Sequence, residues 1–71
     1  RKSEPKLRNK VRELRTTQTD LTQQALADEV GVTRQTIVAM ESSAYTPSLP
    51  LAIRIARVFG LAVEEVFTLD E

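Results

Sequence analysis

The stretch LADEVGVTRQTIVAM, which runs from Leu26 to Met40, decides the fold of this 71-residue chain. Apolar residues recur at helical spacing on both sides of Gly31, and glycine adopts the left-handed backbone of a tight corner without strain. Thr33 supplies a hydroxyl that caps the segment after the corner. The pattern therefore predicts two short helices joined by a tight turn.

The residues around this corner are spaced as two steeply crossing helices require. A short turn brings the helices close together, so the residue at their nearest approach must be small, which suits Ala27. Apolar residues that can form the shared seam follow at fixed intervals: Leu26, Val30, Val32, Ile37 and Met40. With a second cap at Thr22, the spacing predicts a helix-turn-helix over about residues 22–42.

Further helices are predicted on both sides of this motif. Leu7, Val11 and Leu14 repeat at helical spacing, which predicts a first helix over about residues 5–15. No strand-like alternation is evident in the rest of the chain.

The C-terminal third of the chain carries the signals of two more helices. Ser48 caps a fourth helix with Pro50 in its first turn, and Gly60 ends it. Residues 63–67 can form a short fifth helix, and residues 69–71 are expected to fray. We therefore predict an all-α fold, one compact five-helix domain over the whole chain.

The composition excludes several classes of protein. Apolar residues make up 41% and charged residues 28%, as in soluble globular domains. The chain has no cysteine and no histidine, so thiolate nucleophiles, imidazole bases and the usual zinc ligands are missing. We predict no enzymatic activity, catalytic residue, metal or cofactor. No apolar run approaches the ~20 residues that span a bilayer, so we expect a cytoplasmic protein without a membrane partner.

A net charge of zero conceals a polarised chain. Residues 1–15 contain seven basic and two acidic residues, whereas residues 60–71 contain four acidic residues and no basic one. The basic end is a candidate source of attraction for an anionic partner, although charges on a first helix are more often only solvated.

The region from about residue 7 to residue 67 resembles the DNA-binding domain of Xre/Cro-type, lambda-repressor-like transcriptional regulators. The segments that carry the resemblance are LTQ at 21–23, LA at 26–27, VGVTRQTI at 30–37, ME at 40–41, YTPSL at 45–49 and VEEVF at 63–67. Three features depart from the family pattern. The loop after Arg15 is one residue longer than is usual before the Leu-Thr-Gln at 21–23. Ser43 and Ala44 stand where a glycine commonly follows the recognition helix, and Ala62 stands where a serine or threonine often caps the last helix.

The resemblance implies that the third helix reads DNA in the major groove. On a helical wheel Arg34, Gln35 and Val38 face outward, while Ile37 and Met40 face inward. Arginine can pair with guanine, glutamine with adenine, and a small apolar group can contact the thymine methyl. We predict base contacts by Arg34, Gln35 and Val38. The alternative for Val38 is a place in the core.

Phosphate contacts are expected at the two helix starts and after the recognition helix, where amides and hydroxyls can bind an anion. The candidates are Thr22, Gln23, Thr33, Thr36, Ser42, Ser43 and Tyr45. Two of them have alternatives that the sequence leaves open. Ser42 can be a solvated helix end, and Tyr45 can be a ring that covers the core.

The resemblance also implies an ion pair between Arg15 and Glu41, the positions that match a structural pair of the family. We expect this pair to fix the first helix against the third. Helix four is more apolar than one inward stripe needs, and two-fold repressors of the family pair through helices four and five. We therefore predict a homodimer through part of Ile53, Arg57, Val58, Leu61 and Val63. A complete monomeric core is the alternative.

These observations predict a sequence-specific regulator, most simply a repressor, that binds double-stranded DNA at a near-palindromic operator. No small-molecule effector is inferred. The alternative on the same fold is a protein-interaction module, such as an antitoxin or a coactivator-like adaptor, that uses the acidic end and apolar helix four.

Overall fold

Seven elements of secondary structure follow one another along residues 6–70, the part of the chain that the computed structural model describes. They are β1 (Lys6–Asn9), α1 (Val11–Gln18), α2 (Gln23–Val30), α3 (Arg34–Glu41), α4 (Leu49–Phe59), α5 (Val63–Val66) and β2 (Phe67–Asp70). Five helices are therefore present, as the sequence predicts, and two strands accompany them.

The corner between α2 and α3 has the geometry that the sequence predicts. The Thr22 hydroxyl accepts a hydrogen bond from the Ala25 amide at 3.0 Å, which caps α2. Gly31 ends α2 with a left-handed φ of 81°. The Thr33 hydroxyl then accepts from the Thr36 amide at 3.3 Å and caps α3. Both caps satisfy amides that have no partner within their helix.

The boundaries of α4 are also confirmed. The Ser48 hydroxyl accepts from the Leu51 amide at 3.3 Å, and Gly60 ends the helix with a φ of 69°. Every helix contributes to one core, whose fully buried large side chains are Val11, Leu26, Ile37, Met40, Ile55 and Val66. This core holds α3 in place against α2 and α1.

The prediction of an all-α fold is wrong, because β1 and β2 form a two-stranded antiparallel sheet. Leu7 lies opposite Leu69, and Arg8 forms a 3.0 Å ion pair with Asp70. The basic and acidic ends of the chain therefore meet in this sheet. The predicted fraying is wrong for Leu69 and Asp70, which lie in β2. Residue 71 lies outside the described residues.

The predicted first helix over about residues 5–15 is wrong at both ends. Residues 6–9 form β1, while residue 5 lies outside the described residues. Asn9 explains where α1 begins, because its side-chain oxygen accepts from the Val11 amide at 3.1 Å. At its other end α1 continues to Gln18.

The short helix α5 is capped without a hydroxyl. Ala62 has no side-chain acceptor, but the Glu65 carboxylate reaches back and accepts from the Ala62 amide at 2.9 Å. Phe67 belongs to β2 rather than to this helix, one residue earlier than predicted. None of the helices within residues 6–70 has the length and apolar character needed to cross a membrane.

Ser43 replaces the glycine that commonly ends the recognition helix, and it adopts a left-handed φ of 65°. Its amide donates to the Met40 carbonyl at 3.0 Å, and the Ala44 amide donates to the Ala39 carbonyl at 2.8 Å. These two bonds form a Schellman motif, in which the left-handed residue is normally glycine. The conformation is therefore kept at the cost of strain at Ser43.

Replacing Ser43 with glycine should raise the free energy of unfolding by about 1 kcal/mol, because glycine adopts this φ without strain. The expected rise in Tm is about 4–8 °C for a domain of this size. Ser42→Gly is the comparison variant, since Ser42 has a φ of −88° and glycine there relieves no strain. It adds unfolded-state entropy and removes the bond from the Ser42 hydroxyl to the Ala39 carbonyl, so its Tm should fall. Equal Tm changes in the two variants would refute the strain at Ser43.

Candidate nucleic-acid interface

The outer side of α3 presents three side chains of different chemistry. Arg34 and Gln35 are exposed, and Val38 is 39% exposed, so Val38 is not a core residue. Ile37 and Met40 are completely buried on the opposite side. A guanidinium, an amide and an apolar group therefore project together from one capped helix.

The residues predicted for phosphate contacts surround α3, and all of them are exposed or half-buried. The Thr33 and Thr36 hydroxyls lie 3.1 Å apart at the start of α3. The Ser42 hydroxyl donates to the Ala39 carbonyl at 3.0 Å at its end. Tyr45 is 43% exposed in the following loop, so its ring covers the core only in part.

A groove of about 420 Å³ lies between α1, the start of α2 and α3. It is lined by Arg12, Arg15, Gln23, Val38, Glu41 and Ser42, and we call it the α1–α3 groove. It brings together three of the predicted contact residues, namely Gln23, Val38 and Ser42. The other seven lie outside its lining: Thr22, Thr33, Arg34, Gln35, Thr36, Ser43 and Tyr45.

Two residues of the groove lining, Arg15 and Glu41, form an ion pair. The Arg15 Nε donates to Glu41 Oε2 at 2.8 Å, and the Arg15 Nη2 donates to Oε1 at 3.3 Å. Gln23 also donates to Oε1, at 3.1 Å, while the Arg15 Nη1 donates to the Leu21 carbonyl at 3.1 Å. The Glu41 side chain is only 4% exposed, so this network carries a nearly buried charge.

Two residues at this interface were not predicted from the sequence. The Asn9 amide group donates to the Met40 carbonyl at 2.8 Å and so fixes the C-terminal end of α3 to β1. Arg12 lines the α1–α3 groove. Its position was readable in principle, because residues three apart share a helix face and Arg15 was already assigned to this side of α1.

The residues predicted for a dimer lie on α4, on α5 and between them. Arg57 is exposed, whereas the apolar members Ile53, Val58, Leu61 and Val63 are half-buried. Val58, Leu61 and Val63 pack in part against the core. This surface is therefore partly apolar and continuous with the core.

Within residues 6–70, no three of His, Cys, Asp and Glu are grouped so as to hold a metal ion.

Comparison with known proteins places these features in context. The family model described as helix-turn-helix matches residues 11–66. An uncharacterized HTH-type transcriptional regulator of Methanothermobacter thermautotrophicus is 60% identical over 52 residues, which are 72% of this chain and 75% of that protein. A Bacillus subtilis protein of the same description is 46% identical over 65 residues, covering 92% of this chain and 97% of the relative.

A solved structure is also similar. The restriction-modification controller protein C.AhdI from Aeromonas hydrophila matches with a TM-score of 0.70 and 28% sequence identity, covering 79% of this chain and 80% of that one.

Proposed function

The chain belongs to the helix-turn-helix family of transcriptional regulators, and we propose that it binds double-stranded DNA at a specific sequence by inserting α3 into the major groove. The observation that carries the proposal is the joint exposure of Arg34, Gln35 and Val38 on one side of α3. A DNA-binding helix needs such a surface, whereas a helix with only a structural role does not.

We assign the base contacts to these three residues. Arg34 pairs with guanine O6 and N7, Gln35 pairs with adenine N6 and N7, and Val38 contacts a thymine methyl. All three lie on a helix that is held by a capped corner and a buried core, so the backbone positions from which they project are fixed before DNA arrives. This rigidity supports specificity, because little backbone order has to be gained on binding.

Phosphate contacts would position α3 without reading sequence. We assign them to Thr22, Gln23, Thr33, Thr36, Ser42, Ser43 and Tyr45. The first amides of α2 and α3 point out of the helix starts, where the helix dipole also favours an anion. The Thr22 and Thr33 hydroxyls cap later amides, at Ala25 and Thr36, so the Gln23 and Arg34 amides remain available for phosphate.

We further propose that the chain acts as a homodimer through part of Ile53, Arg57, Val58, Leu61 and Val63. Two copies of α3 would then lie about 34 Å apart on a near-palindromic operator. A dimer also doubles the phosphate contacts, which offsets the modest nonspecific attraction of a chain with zero net charge. Bound in this way, the protein represses transcription by excluding other proteins from the same base pairs.

The protein-interaction alternative is weakened by two observations. The acidic end, which was one of its candidate surfaces, is paired with the basic end through β1 and β2 and the ion pair between Arg8 and Asp70. The buried apolar residues of α4, Leu51, Ile55 and Phe59, belong to the core, and the half-buried ones, Ile53 and Val58, are assigned above to the dimer. A different protein partner would therefore have to compete with the strand pairing or with the dimer.

Selection of bound sites from a random pool of DNA duplexes tests the proposed function. We expect enrichment of one sequence with two inverted half-sites, and binding that weakens steeply as salt is raised. Sedimentation at micromolar concentration should show twice the 8.0 kDa mass of one chain. A pool that stays random after selection would refute specific binding, and a single 8.0 kDa species together with an asymmetric site would refute the dimer alone.

A further inference from the structure

The charges around the α1–α3 groove do not cancel. Arg15 and Glu41 neutralise each other in their ion pair, which leaves Arg12 as the uncompensated charge among the residues that line the groove. Within residues 6–70 there are two ion pairs, and neither includes Arg12. The groove is therefore electropositive because of Arg12.

The acidic member of the lining does not oppose an anion. Both Glu41 oxygens already accept hydrogen bonds, from the Arg15 guanidinium and from the Gln23 amide. The Glu41 side chain is only 4% exposed, so its carboxylate presents little surface to the groove. Arg12, by contrast, is exposed in the first turn of α1.

Resting on the proposed function, we propose that Arg12 binds a DNA backbone phosphate that enters the α1–α3 groove beside α3. Val38 lines the other side of the groove and is assigned to a base, so a groove that adjoins it lies where the sugar-phosphate backbone borders the major groove. A guanidinium binds two phosphate oxygens at once, which gives position as well as attraction.

This contact has a defined role within the interface. The phosphate sites proposed above use amides and hydroxyls of α2, α3 and the loop after α3, whereas Arg12 belongs to α1. An Arg12 contact would therefore hold the protein to the DNA through a second element, α1, and so fix the angle at which α3 lies in the major groove. It adds affinity and orientation but no sequence preference, because phosphates are the same at every base pair.

Replacing Arg12 with glutamine tests the proposal on the full chain with its selected DNA duplex. Removing one phosphate contact makes the negative slope of log Kobs against log salt shallower by about 0.9 per bound protomer. The loss of affinity between 50 and 200 mM salt should then shrink by about 3.5-fold per protomer. Arg12→Lys keeps the charge and should keep the slope, with weaker binding because the two-oxygen geometry is lost.

Lys10→Gln is the matched control. It removes one positive charge two residues before Arg12 in the chain, and the Lys10 side chain lies outside the groove lining. We expect the Lys10 variant to keep the parental slope and both variants to select the parental DNA sequence. Equal slopes for Arg12→Gln and the parent, or equal losses in the Arg12 and Lys10 variants, would overturn the local phosphate contact. A changed sequence preference in Arg12→Gln would instead make Arg12 a base reader. If the parent does not bind DNA, the proposed function fails as well.

Discussion

Replacing Glu41 with alanine is expected to lower the free energy of unfolding by about 3–5 kcal/mol. The Arg15 side chain is 13% exposed and loses its carboxylate partner in this variant, so its charge stays nearly buried without compensation. The Gln23 amide loses its acceptor as well. A chain of 71 residues has little stability in reserve, so we expect Tm to fall by more than about 12 °C.

The loss should depend on the unpaired charge rather than on the missing contact. Breaking a buried pair is costly because one ion is left behind, whereas replacing both ions by apolar groups is often nearly neutral. The double variant Arg15→Met with Glu41→Leu should therefore be more stable than either single variant. Glu29→Ala is the control on an exposed glutamate of α2, and it should change Tm by no more than a few degrees.

Thermal denaturation followed by circular dichroism measures Glu41→Ala, the double variant, its two single variants and Glu29→Ala. A Glu41→Ala protein with a Tm within one degree of the parent would show that the ion pair does not hold α1 against α3. A double variant as unstable as the single ones would show that packing, not charge, determines the cost.

The helical part of the fold was readable because its signals are local. A threonine or serine before an apolar periodic segment and a glycine after it fix the ends of α2 and α4 within a few residues. The sheet was not readable for the opposite reason. Leu7 and Leu69 pair across nearly the whole chain, and each strand has only four residues, which is too short to show alternation. Leu7 also matched the helical spacing of Val11 and Leu14.

The candidate site was also predictable where it depends on one helix alone, and not where it depends on packing between elements. Which residues of α3 face outward follows from its own period, so Arg34, Gln35 and Val38 were placed correctly on the exposed side. The contributions of other elements depend on how the helices pack. Arg12 reaches the α1–α3 groove and Asn9 binds the end of α3 only because α1 and β1 lie beside that helix. The Asn9 contact leaves no trace in a window of neighbouring residues, whereas the helix face of Arg12 follows from its spacing to Arg15 once Arg15 has been placed.

Alanine at Arg34 or Gln35 is expected to produce the largest loss of specific DNA binding. One bidentate contact to a base contributes about 1–3 kcal/mol of discrimination, or about 5–150-fold in affinity for each half-site. Each variant should lose preference at one position of the operator and keep it elsewhere. The two positions should differ, because arginine selects guanine and glutamine selects adenine.

The control variants separate base reading from charge and from folding. Arg34→Lys keeps the charge but loses the planar two-bond geometry, so it should retain the parental salt slope while losing most of the preference for guanine. Gln18→Ala alters an exposed glutamine at the end of α1 and should leave binding unchanged. Both side chains of interest are exposed, and the Thr33 cap does not depend on them, so Tm should stay within a few degrees of the parent. Competition titrations with operator duplexes altered at single base pairs measure the effect. If Arg34→Ala and Gln35→Ala weaken binding equally to every duplex, these side chains contact phosphates, and the assignment of sequence reading to the outer face of α3 fails.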